Sequence, residues 1–316
     1  MKALFVWPGF TGYMGDAWRE LSLRCDLKVV VEGDGLGRGF GPETMDGLDW
    51  ESAEDAADAV ERARRFGPDA MVLVGWNATA RRIAAADALA RVPKLMQMDL
   101  QWEWTLRKVL ARWALCPHVR HFGGILVHGA SGARYARWLG FAPERIFRGC
   151  AAAVDIARFA GEWSPDRKGF LFVGRRVKEK AIDVLERAHR IYRERGGTWE
   201  LETYGDGGAM VPPSEMPRVM ARCACLVLPS RWEPFGMVVV EAKAAGMKVI
   251  ASDKVGAVAE MPVDEIVRAG DAESLALAMR RVEDSASKPP IGGDISYWGV
   301  GPWSERVVSA LESVAP

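Results

Sequence analysis

Short apolar runs alternate along the whole chain with longer stretches in which apolar residues return every three or four positions. The runs predict strands over residues 2–7, 27–32, 70–75, 93–97 and 124–127, and the periodic stretches predict helices over 16–24, 53–66, 78–90, 103–115 and 131–139. Gly161, Ser164 and Pro165 then break the pattern and mark a linker at about 160–167. Beyond it, strands are predicted at 169–174, 199–204, 225–229, 248–251 and 265–268, with one helix running from Phe235 or Gly236 to a stop at Gly246. Residues 285–302, rich in Ser, Pro and Gly, read as a loop, and a last helix is predicted over 303–314. Strands alternating with helices in this way build parallel α/β sheets. No tandem repeat is visible.

Composition narrows this picture. A chain of 316 residues exceeds the usual size of one core, and 49% hydrophobic with 27% charged residues suffices for two soluble domains. Forty-two basic residues balance 42 acidic ones, so no general field for nucleic acid is expected. Five cysteines, without a Cys-x-x-Cys pair, argue against a disulfide framework or structural zinc; Cys223 and Cys225 read as core thiols. The first apolar run is cut by Pro8-Gly9, too short for a signal peptide or membrane span, and a cytoplasmic location is expected.

The chemistry concentrates in Leu228-Pro-Ser-Arg-Trp-Glu233-Pro-Phe-Gly236-Met-Val-Val-Val-Glu241. Two carboxylates flank a Pro-Phe-Gly turn between a strand and a helix. Helix-opening amides at Phe235, Gly236 and Met237, backed by the positive end of the helix dipole, suit a diphosphate. Helical rise over the interval gives roughly 12 Å between the two glutamates, enough for one to hold a ribose and the other a hexose.

This Glu-x7-Glu motif with its Glu-Pro-Phe-Gly start resembles the retaining glycosyltransferases of family 4. Phe172-Val-Gly174-Arg175, followed by Lys180, is similar to the family's strand–Gly-Arg–Lys–helix segment, Gly205-Asp206-Gly207 to its Gly-Asp-Gly turn, and Val154-Asp155 through Phe159 to the run before its interdomain linker. The likeness covers about residues 120–260. It implies an α/β, GT-B fold of two Rossmann-like domains with a cleft between them: an acceptor domain at 1–160, a nucleotide-sugar domain at 161–296, and a C-terminal helix at 297–316 crossing back onto the first. The implied activity is retaining transfer from a nucleotide-diphosphate sugar, most commonly a UDP-sugar, to a hydroxyl acceptor, with no cofactor. Glu233 would hold the sugar hydroxyls, Glu241 the ribose, and Arg175 and Lys180 the phosphates, with Gly174, Gly205 and Asp206 lining the donor site. The sequence departs from the pattern in having Ala181 where glycine follows the Lys, Ala152-Ala153 where Asn-Gly precedes Val-Asp, and a short segment between Gly208 and Leu228. A catalytically silent nucleotide-sugar-binding protein is the other reading of the same motifs.

The first domain offers weaker signals. Gly9, Gly12 and Gly15 form a glycine loop after the first strand; it is either a tight turn onto a helix or a close approach to the donor by Gly12 and Tyr13. With Glu32 ending the second strand it also fits an NAD-dependent dehydrogenase, but no Tyr-x-x-x-Lys pair accompanies it. Asp99 is either a catalytic carboxylate or a helix N-cap. His128, at a strand end, is a further donor-side candidate. No Asp-x-Asp occurs, and the four histidines lack metal-ligand spacing, so no metal is expected and Arg175 with Lys180 must carry the leaving-group charge. Finally Leu106, Val109, Leu110 and Trp113 share one helical face, while Arg107, Lys108, Arg112, Arg120 and His121 add positive charge nearby. This is a buried helix with a solvated flank, or a rim for an anionic acceptor or acidic membrane surface.

Overall fold

The structure, a computed structural model, describes residues 1–9, 12–33, 42–103, 105–205 and 211–315, with the side chains of 12, 13, 107 and 111 left aside. In chain order the first part runs β1 (Lys2–Trp7), α1 (Gly12–Ser22), β2 (Asp26–Glu32), β3 (Trp50–Ala53), α2 (Ala56–Phe66), β4 (Ala70–Val74), α3 (Ala78–Ala84), β5 (Lys94–Met98), α4 (Leu106–Val119), β6 (Gly124–Val127), α5 (Ala130–Leu139) and β7 (Ile146–Arg148). It continues with α6 (Ile156–Phe159), β8 (Phe170–Val173), α7 (Ile182–Glu194), β9 (Leu201–Tyr204), α8 (Met216–Arg222), β10 (Cys225–Leu228), α9 (Met237–Ala244), β11 (Lys248–Ser252), β12 (Glu265–Val267), α10 (Ala272–Asp284) and α11 (Val300–Glu312). Two compact units result: Met1–Val154 with Tyr297–Pro316, and Asp155–Ser296.

In the first unit the sheet order is β3-β2-β1-β4-β5-β6-β7, parallel throughout. Its central strands β1, β4, β5 and β6 are buried almost end to end because helices cover both faces, which is why they read as apolar runs rather than alternations. Strand order reverses between β1 and β4. Helix α11 lies against α1; the Trp303 indole donates to the Cys150 carbonyl at 2.9 Å, and Arg306 donates to the Gly149 carbonyl at 2.9 Å. The helix starts at Val300, inside the stretch read as a loop, since Pro302 falls in its first turn, where a missing N–H costs nothing.

The second unit has the order β12-β11-β10-β8-β9, again all parallel, and here the direction of winding reverses between β8 and β10. In such sheets ligands collect beyond the carboxyl ends of the strands at the reversal. Cys223 and Cys225 are core thiols: burial pushes Cys223 up to about 12 and Cys225 well above the ordinary thiol range. No helix among the described residues is long and apolar enough to cross a membrane.

Candidate functional site

The carboxyl ends of β8, β9 and β10 bring together most of the residues singled out above. Gly174 follows β8 and donates its N–H to the Tyr204 carbonyl, 2.9 Å away, at the end of β9. Gly205 then turns at φ 129°, and a Cβ there would sit 2.2 Å from the Gly174 carbonyl oxygen, so only glycine lets the two strand ends close up. Arg175 is exposed, and its guanidinium has no side-chain partner among the described residues. The neighbouring Arg176 instead pairs with Glu186 at 3.1 Å. Asp206 lies outside the described residues.

Lys180 ends a single 3-10 turn, Lys178–Lys180, and Ala181 turns the chain into α7 at φ 56°, ψ 39°; it is the one non-glycine residue with positive φ among those described. The position that carries glycine in the resembling family is thus a left-handed one. Left-handed backbone costs an L-residue about 1–2 kcal/mol. Ala181→Gly removes that strain but also a fully buried methyl, worth ~0.8 kcal/mol, and adds a chain-entropy cost of ~0.5–1 kcal/mol. The terms nearly cancel, so urea denaturation should find Ala181→Gly within about 1 kcal/mol of the parent, whereas Ala181→Val, strained and overpacked, should lose more than ~2 kcal/mol. A valine variant as stable as the parent would refute the strain.

The turn is stitched to the loop after β10. Glu179's carbonyl accepts the N–H groups of Arg231 at 2.7 Å and Trp232 at 3.3 Å, and the Arg231 guanidinium grips Asp183 bidentately at 2.7 and 2.6 Å. That guanidinium holds the Asp183 carboxyl below the usual carboxylate range. The outcome is a close ion pair between Lys180 Nζ and Glu233 Oε2, to which Ser230 Oγ adds a hydrogen bond at 3.4 Å. Glu233 is buried, and its backbone is pinned from the other side: its N–H donates to the Lys254 carbonyl at 3.2 Å, and its carbonyl accepts from Gly256 N–H at 3.2 Å.

Gly236, at φ 91°, ψ 65°, caps α9, and a Cβ on it would press Leu228 at 3.0 Å and Val255 at 3.1 Å. Phe235 is buried and accepts the Ala257 N–H at 2.8 Å. Met237 opens the helix and Glu241 lies one turn along it. The helix is shorter than the 235–246 span expected. Glu233 is bridged to Val255 and residues 234–236 are not helical, so the separation of about 12 Å, which assumed helical rise from Glu233 onward, does not follow.

In the first unit Asp99 and His128 directly follow β5 and β6. The register pairs Met98 with Val127, which sets the next two residues side by side, and His128 Nε2 lies 3.0 Å from Asp99 Oδ1. Asp99 is not a helix cap: α4 starts only at Leu106, and Thr105 caps it by accepting the Lys108 N–H at 3.2 Å. Sequence reading named both residues but missed their pairing, which only the strand register reveals. The glycine run after β1 leads straight into a helix: Gly12 and Tyr13 stand in the first turn of α1, and Gly15 is inside it, where a Cβ would meet the Thr44 carbonyl at 2.2 Å, so close packing there requires glycine. The Tyr13 side chain lies outside the described residues. Among the described residues no group of three or more His, Cys, Asp or Glu is placed to hold a metal ion.

Residues 208–290 match the family model Glycosyl transferases group 1. No curated protein matches the chain. Among solved structures the chain is similar to HepE of Anabaena in complex with UDP, at 15% identity and a TM-score of 0.70, covering 99% of this chain and 100% of that one. It is similar to the lipopolysaccharide outer core galactosyltransferase WaaB at 14% identity and TM-score 0.69, covering 99% of each chain. Sucrose-phosphate synthase from Thermosynechococcus elongatus gives 14% identity and TM-score 0.66, over 100% of this chain and 96% of the other. At such identities the likeness is one of fold, and the fold is GT-B.

Proposed function

We propose that this chain is a retaining glycosyltransferase that moves a sugar from a nucleotide-diphosphate sugar, with UDP as the nucleotide, to a hydroxyl acceptor, and that it needs no metal. The observation that carries this reading is the buried Glu233–Lys180 pair, seated at the strand-order reversal beside the N-terminus of α9 and joined along that helix by Glu241. In this reading Glu233 accepts hydrogen bonds from the sugar hydroxyls, Glu241 from the ribose, and Arg175, Lys180 and the opening amides of α9 bear the diphosphate. An ammonium has three N–H donors. Glu233 takes one, and the others are assigned to phosphate oxygens. The bond between the anomeric carbon and the phosphate oxygen breaks, the acceptor oxygen bonds to that carbon from the same face, and the departing phosphate oxygen takes the acceptor's proton. Asp99, oriented by His128, is assigned to the transfer step rather than to nucleotide binding.

HepE binds UDP, and a complex with UDP-glucose supports the choice of nucleotide. The test is nucleotide release from UDP-, GDP- and ADP-sugars, with and without a panel of hydroxyl acceptors, in excess EDTA. UDP release that rises with an acceptor and survives EDTA is expected. An absolute requirement for Mg²⁺ or Mn²⁺ would overturn metal independence, and tight UDP binding without release from any donor would mean a silent binding protein.

A further inference from the structure

Helix α4 turns outward the face that its period marks as a core. Leu106 is 76% exposed, Leu110 55% and Trp113 77%, one stripe at i, i+4 and i+7, whereas Leu115 and His118 on the other side are buried. Large apolar groups left in water at helical spacing point to something that covers them.

The electrostatic setting narrows what that is. Although the chain as a whole is neutral, no Asp or Glu occurs between Glu103 and Glu144, an interval that holds Arg107, Lys108, Arg112, Arg120, Arg134 and Arg137. Lys108 is engaged by Glu103 at 3.2 Å. The exposed Arg112 on α4 lies 5.6 Å from the Trp138 ring on α5, and Arg134 on α5 lies 6.0 Å from the Trp102 ring. Beside Trp113 opens a cavity of about 430 Å³ whose lining includes Arg112, Arg120, Phe122, Phe141 and Arg145. A helix with leucine and tryptophan on one side and arginines at its flanks matches an element lying in the plane of a bilayer surface, where the indole settles at headgroup level and the arginines meet lipid phosphates.

We propose that the α4–α5 face of the first unit docks on a membrane surface bearing anionic lipids, with Leu106, Leu110 and Trp113 entering the interface and Arg112, Arg120, Arg134 and Arg137 meeting the headgroups. The inference is independent of the donor chemistry assigned to the second unit. The test is co-sedimentation of the full chain with vesicles of phosphatidylcholine alone, and of phosphatidylcholine mixed with phosphatidylglycerol, at low and high salt. Binding is expected only to the mixed vesicles and is weakened by salt. Arg112→Gln and Arg120→Gln should each weaken partitioning roughly fivefold, the effect of one basic residue near such a surface. The triple variant Leu106→Ser, Leu110→Ser, Trp113→Ser should abolish it while leaving melting temperature and UDP binding unchanged. Should the triple variant not fold, Arg120→Gln decides alone, since among the described residues its guanidinium makes one side-chain hydrogen bond, to the Cys116 sulfur at 3.9 Å. Equal binding to both vesicle types, no binding at low salt, or binding indifferent to these substitutions would overturn the proposal. So would a self-associated chain that ignores vesicles and becomes monomeric when the stripe is removed.

Discussion

Glu233→Gln should lower kcat by about 10²-fold or more, the scale of losing one preorganised polar contact that matters most in the transition state. Glutamine keeps the volume of the buried side chain but would accept less strongly from the sugar hydroxyls assigned to it in the proposed reaction, and it no longer neutralises Lys180. The freed ammonium then competes for donor phosphate, so UDP affinity measured by calorimetry should hold or rise while turnover collapses. Glu241→Gln should do the reverse, weakening UDP with a smaller effect on kcat. Near-parental kcat in Glu233→Gln would remove the central claim.

Lys180→Ala should damage both fold and reaction. It leaves Glu233, whose side chain is about 10% exposed, without the cation beside it. Breaking a pair this deeply buried costs roughly 3 kcal/mol, the low end of the range because some solvent still reaches it. Turnover should fall as well, since a point charge at the end of that turn cannot be replaced by the exposed Arg175. Lys180→Arg separates the two effects: the restored charge should recover much of the melting temperature, but its planar fork cannot reproduce the ammonium's position, and kcat should stay low. If Lys180→Arg turns over like the parent, Lys180 acts only as a counter-ion.

Where the sequence was readable, burial on two faces or a special backbone angle left a trace. The β10 strand is an uninterrupted apolar run, and Gly236 marks the left-handed residue from which α9 starts. Strands β3 and β7 escaped because both are short sheet-edge strands and only Ala53 in β3 is buried, so no apolar signature exists to read. The start of α1 was misplaced because Gly12 and Gly15 look like breakers, and nothing local announces that Thr44 occupies the space a side chain would need. In α4 the period identified a stripe correctly but could not tell inside from outside. Pairings were the least legible: Lys180 and Glu233 are 53 residues apart, and Asp99 meets His128 only through the register of β5 on β6.

The first unit is built from the two ends of the described chain, with the second unit inserted between Val154 and Tyr297. During synthesis the inserted unit therefore precedes α11 and the indole that Trp303 supplies to Cys150. Domains usually mature in the order in which they emerge. Here the order inverts: the later unit can finish first, and the earlier one waits with the α1 surface uncovered until α11 has emerged. Chaperone demand should accordingly follow the closing helix rather than the inserted unit.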